Sequence, residues 1–112
     1  MTRQQERDEF IGLLLQEFPN RNPADALDLA RKLMRYAATD HRYCCQDCNE
    51  GLSAEEEKRQ EANQRRILSL CQEWGIIPHF NDDPRGATVK LQVPSGRSND
   101  WGRVGICVPT RN

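Results

Sequence analysis

No stretch of this sequence stays apolar for long. The longest such run, Phe10 to Leu15, contains Gly12 and is far too short to span a bilayer. The first residues, Met-Thr-Arg-Gln-Gln-Glu-Arg-Asp, lack the apolar h-region of a secretory signal, so a cytoplasmic protein is expected. Net charge is also nearly missing: 16 Lys and Arg stand against 17 Asp and Glu, −1 overall. No global field draws such a chain to DNA or anionic lipid, and a nucleic-acid role would have to rest on a local patch. Five cysteines, an odd number without a secretory signal, argue against a disulfide framework and for reduced thiols or a metal. The chain has no Gly-rich phosphate loop, no Ser-His-Asp arrangement, no internal repeat and no low-complexity segment.

What remains is enough for one small domain. A length of 112 residues, 37% apolar and 29% charged, predicts a single α+β domain with a thin core and a wet surface. Residues 1–75 form its helical part and residues 76–112 its β part. From Asp82 to Asn112 five cations stand against three acids, a net of +2, leaving −3 for the rest.

The first helix is expected over residues 3–17, with Phe10, Ile11, Leu14 and Leu15 on one stripe. Asn22 followed by Pro23 is an N-cap with an N1 proline and opens a second helix. There Ala26, Leu27, Ala30, Leu33, Met34 and Ala37 recur every three or four residues, a core face running to about Cys45. Gly51 favours the C′ position, so this helix and the next should form a long antiparallel hairpin. The third helix spans Ser53 to Trp74: Ser53 and Glu56 make a capping box, Glu55 to Glu57 suit the positive end of the dipole, and Gly75 stops it. It is polar for three turns and then apolar at Ile67, Leu68, Leu70, Cys71 and Trp74. The pairs Glu55 with Arg59 and Glu61 with Arg65 fall at i,i+4 and make its basic residues a solvated, ion-paired face.

After Gly75 the period becomes two. Ile76 to Phe80 is a strand placed at an edge by Pro78, and Asp83-Pro84-Arg85-Gly86 has Pro and Gly where a type I turn wants them. Ala87, Val89, Leu91 and Val93 alternate with Thr88, Lys90 and Gln92, one face core and one wet. Val104, Ile106 and Val108 supply a third strand, giving three helices followed by a small antiparallel three-stranded sheet.

The boxes Asp83-Pro84-Arg85-Gly86, Leu91-Gln92-Val93-Pro94-Ser95-Gly96 and Asn99-Asp100-Trp101-Gly102 resemble those of a family of short proteins of temperate phages and prophages. The hairpin ending at Cys48-Asn49 and restarting at Leu52-Ser53 is similar too, so the likeness spans about residues 24–102. It implies a phage accessory gene acting in a bacterial host, of a kind that commonly binds host machinery or nucleic acid.

Three sets of residues bear on chemistry. His41, Cys45 and Cys48 fall at i, i+4 and i+7 with Cys44 beside them, a donor set that suits tetrahedral zinc but lacks a clear fourth ligand; the alternative is partly buried thiols and a polar His. Cys71 lies about 27 Å along the third helix from Ser53, too far to join them. An acidic turn before Lys90 is like the D…(D/E)xK pattern of metal-dependent nucleases, yet Thr88 stands where the second acid is required. Cys71 or Cys107 could pair with His79, but both sit in apolar patterns where burial raises a thiol's pKa. No enzyme and no cofactor are therefore expected, with zinc kept as the alternative.

Three helices and a hairpin are also the element order of a winged helix, but a reading helix contacts bases with its N-terminal residues, and Glu55, Glu56 and Glu57 repel phosphate. A nucleic-acid surface would instead use Lys58, Arg59, Arg65 and Arg66, with Lys90 and Arg97. Trp101 either folds back on the core or anchors an interface together with Arg97 and Asn99. The leading expectation is a non-enzymatic accessory protein that binds a host protein complex, a defence system being the target class, through Arg85, Lys90, Arg97, Asn99 and Trp101. The alternative is a small nucleic-acid-binding factor.

Overall fold

The computed structural model describes residues 2–93 of the chain. Within them lie α1 (Arg3–Glu17), α2 (Pro23–Asn49), α3 (Ala54–Gln72) and an antiparallel pair, β1 (Ile77–Phe80) with β2 (Val89–Gln92). The fold is α+β as expected. The strand expected at Val104, Ile106 and Val108 lies outside the described residues.

Each helix begins on a side chain that accepts from one of its free N–H groups. The Thr2 hydroxyl accepts from Gln5 N–H at 3.1 Å while Gln5 Oε1 accepts from Thr2 N–H at 2.7 Å, a capping box that opens α1. Asn22 Oδ1 accepts from Asp25 N–H at 2.8 Å ahead of Pro23. Ser53 and Glu56 make the anticipated reciprocal pair at 3.1 and 3.0 Å. Two of the stops are glycines in the left-handed region, Gly51 at φ 81° and Gly75 at φ 71°. After Gly75, Ile76 N–H reaches back to Cys71 O at 2.9 Å and closes the end of α3.

The hairpin of α2 and α3 is antiparallel, because its cross-links pair later residues of one with earlier residues of the other. Gln46 Nε2 donates to Glu56, Gln64 Nε2 to Asp40, and Asn63 Nδ2 to the Tyr36 carbonyl. α2 runs four residues beyond Cys45, to Asn49. Its buried face is Ala26, Leu29, Ala30, Leu33, Met34 and Ala37. Leu27, assigned to that face above, is only half-buried, because it stands one residue, about 100°, away from Ala26, whereas Leu29 stands at i+3. On α3, Ile67 and Cys71 enter the core, while Leu68 remains 43% exposed. Phe10 and Leu14 of α1, Ile76, and Val89, Leu91 and Val93 around β2 complete that core.

The connector between α1 and α2 is clasped to the end of α3. Phe18 meets Trp74 edge-on at 5.2 Å, Arg21 lies over the indole at 4.4 Å, and an Arg21 N–H donates to Glu73 O at 2.7 Å.

In the sheet, Ile77 pairs with Gln92, Pro78 with Leu91, His79 with Lys90 and Phe80 with Val89. The type I turn is present, with Gly86 N–H on Asp83 O at 3.4 Å, and the Asp83 carboxylate accepts from Arg85 N–H at 3.0 Å. Both strands are shorter than expected, and Thr88 corrects the alternation. It was placed on the wet face, yet it precedes the ladder and is 1% exposed, and its hydroxyl has no hydrogen-bond partner among the described residues.

Two substitutions probe these features. Space around Gly51 is open, so Gly51→Ala meets only the left-handed backbone and should cost about 1–2 kcal/mol in urea unfolding, with Gly51→Asn costing less. Thr88→Val removes a buried, unpaired hydroxyl at constant shape and should leave stability unchanged or raise it by about 1 kcal/mol. A loss above about 1 kcal/mol would show that the hydroxyl is bonded.

Candidate functional site

Cross-strand pairing puts Ile77, His79, Lys90 and Gln92 on one side of the sheet. Lys90 and His79 are exposed, Ile77 is 54% exposed, and His79 Nε2 is 2.8 Å from Gln92 Oε1. The opposite side, Val89 and Leu91, faces the core. Of the residues assigned to partner binding, Lys90 stands on this outer face. Arg85 does not: it lies on the turn beyond the ladder, where its guanidinium forks onto Asp83 with three contacts of 3.0 to 3.3 Å. Those hydrogen bonds, with the Arg85 backbone N–H, hold the Asp83 carboxyl below the usual range, and Arg85 is raised in turn. Arg97, Asn99 and Trp101 lie outside the described residues.

On α3, Lys58, Arg59, Arg65 and Arg66 are all exposed. Arg59 contacts Glu55 at 3.8 Å as anticipated, but no ion pair joins Glu61 to Arg65 among the described residues. At that exposure a 3.8 Å pair adds little, and the basic residues remain interleaved with Glu55, Glu57 and Glu61.

The residues weighed as zinc ligands divide between two environments. Cys44 turns inward: it is 4% exposed, and its thiol is 3.9 Å from both Asp40 Oδ2 and the Asn81 carbonyl. His41, Cys45 and Cys48 follow the outer side toward the 81–86 turn. His41 Nε2 is 2.8 Å from Pro84 O, Cys45 Sγ is 3.7 Å from His41 Nδ1, and Cys48 Sγ is 4.0 Å from Asp82 O. A carbonyl only accepts, so an N–H at His41 Nε2 donates to Pro84 O, and Nδ1 faces the Cys45 thiol. No group of three or more His, Cys, Asp and Glu converges to hold a metal ion among the described residues. Cys44 reaches the Asn81 carbonyl from the buried side, while His41 and Cys48 meet the 81–86 turn from the outer side with Cys45 against His41.

One polar feature has no counterpart in the expectations above. Asp40 is 0% exposed and sits one turn beyond Ala37 on the apolar stripe of α2. Its carboxylate accepts from Gln64 Nε2 at 2.9 Å, from Gln60 Nε2 at 3.4 Å and from the Cys44 thiol. A buried carboxyl group is costly unless it is hydrogen-bonded, and here two glutamine amides and a thiol supply donors. The available sequence signal was an acid in register with a core stripe, facing glutamines spaced i,i+4 on the next helix.

Burial pushes the Cys44 thiol up to about 12, with the charges of Asp40 and Asp82 adding to the effect, and burial alone does the same for Cys71. This agrees with the expectation for a thiol in an apolar pattern and leaves Cys71 a poor nucleophile. Two outcomes are expected. In the native protein at neutral pH, iodoacetamide should modify Cys45 and Cys48 while Cys44 and Cys71 react only after denaturation, read by peptide mass spectrometry. Stability should also fall as pH rises from 9 toward 12, because the unfolded thiols ionise near 9.0 while the folded ones keep their protons. A flat stability curve over that window would contradict the burial of both thiols.

Comparison with known protein families, with curated proteins and with solved structures finds no match to this chain.

Proposed function

We infer that this chain is a non-enzymatic binding protein whose outer sheet face docks on a partner protein. The observation that carries this reading is the exposed Ile77 set among His79, Lys90 and Gln92 on a face backed by the core. An apolar side chain ringed by polar and charged neighbours has the make-up of an interface centre with its rim. The Asp-Pro-Arg-Gly, Pro-Ser-Gly and Asn-Asp-Trp-Gly boxes support a phage accessory protein, and with that origin the partner is a host protein complex, with host defence as the target class. Arg97, Asn99 and Trp101 belong to the same proposal as partner-binding residues.

Against catalysis stand the high-lying Cys71 thiol and the burial of Thr88 at the position where a nuclease needs its second acid. The nucleic-acid alternative draws support from the exposure of Lys58, Arg65 and Arg66, but their glutamate neighbours weaken any phosphate attraction.

Affinity capture from a bacterial lysate, with and without nuclease, separates the two. A discrete protein complex should survive nuclease and be lost with Ile77→Asp and with Lys90→Glu, while thermal melting of both variants stays within a few degrees of the parent. Recovery that vanishes with nuclease and falls with Lys58→Glu and Arg66→Glu would replace the proposal with the nucleic-acid reading.

A further inference from the structure

A second surface, remote in sequence from the sheet, has an unusual charge balance. Gln4 and Arg7 of α1 face Arg31, Met34 and Arg35 of α2 across a groove of about 440 Å³. Three of these five lining residues are arginines and none is an acid. In a chain of net charge −1 this is a local excess, and none of the three arginines takes part in an ion pair among the described residues. Some cations elsewhere are paired, Lys32 with Asp28 at 3.0 Å, Arg59 with Glu55 at 3.8 Å and Arg85 with Asp83 at 3.0 Å.

Arg7, which lines the groove, also carries a donor without a partner among the described residues, its buried Nε. Burying a cationic N–H without an acceptor is costly, and gathering three guanidinium groups adds mutual repulsion. An anion in the groove offsets the mutual repulsion of the three guanidinium groups. The guanidinium fork matches the paired oxygens of a phosphoryl group, and Arg is the side chain suited to such two-point contacts. Arg35 additionally lies 5.3 Å from the Tyr36 ring centroid, a stacked placement that limits its rotamer freedom.

We propose that this groove binds a small phosphate ester through Arg7, Arg31 and Arg35. Its volume of about 440 Å³ falls within the roughly 300–1,000 Å³ typical of small-molecule sites, larger than a bare phosphate needs and suited to a nucleotide-sized ligand. A nucleic-acid backbone offers the same oxyanions, but a strand needs a charged track longer than a single groove. The site shares no residue with the sheet face, so the two proposals stand or fall separately.

Isothermal titration of the full chain with inorganic pyrophosphate, with ADP and with a short oligothymidylate tests the proposal. Pyrophosphate and ADP should bind saturably at one site and weaken as salt rises. Arg31→Gln and Arg35→Gln should each lower affinity about tenfold. Both side chains are exposed, so melting should be unchanged. Arg31→Lys keeps the charge without the fork and should recover only part of the loss, and Arg59→Gln on α3 should have no effect. Absence of saturable binding, or binding indifferent to Arg31 and Arg35, overturns the site. Tighter binding of oligothymidylate with the same arginine dependence overturns the small-ester assignment in favour of a nucleic-acid strand.

Discussion

The structure depends on a polar seam in the middle of an apolar interface. Asp40, wholly buried on α2, is met by Gln60 and Gln64 of α3, and one turn along Asn63 bonds the Tyr36 carbonyl. Apolar side chains alone would let two helices slide by a turn with little loss. A buried carboxylate does not, since any shift leaves its oxygens unfilled. Register along the hairpin then decides where the end of α2 lies, and with it the contacts of His41, Cys44 and Cys48 with the turn that leads into β2.

The two surfaces discussed draw on this scaffold in different ways. The sheet is only two strands wide among the described residues and owes its order to the core behind Val89 and Leu91. The arginine groove needs α1 held against α2 by Phe10 and Leu14.

Much of the fold was legible because its punctuation is local. Ser53 with Glu56, Asn22 with Pro23, Gly51, Gly75 and the Asp83 to Gly86 turn are each decided within a few residues, and each is found where the sequence puts it. The Thr2 with Gln5 box was equally local and could have been read. Errors arise where the deciding partner is remote in sequence. Leu68 carries an apolar side chain but no helix covers it, Thr88 is polar but enclosed, and Asp40 looks like the end of a stripe until the glutamines of α3 arrive. The site was less legible still. Arg31 and Arg35 share a helix face by spacing, yet only the packing of α1 brings Arg7 to them, and spacing along α2 does not tell that Cys44 turns inward while Cys45 lies against His41.

The clasp of Arg21 on Trp74 and Glu73 has a consequence for the order of folding. Its hydrogen bond joins residues 52 positions apart, so forming it first would require closing a long loop against chain entropy. Once the α2–α3 hairpin has zipped from its short connection, the two ends are already neighbours and that entropy has largely been spent. Loop-closure considerations thus make the clasp a late event, one that ties the α1–α2 connector to a hairpin already assembled.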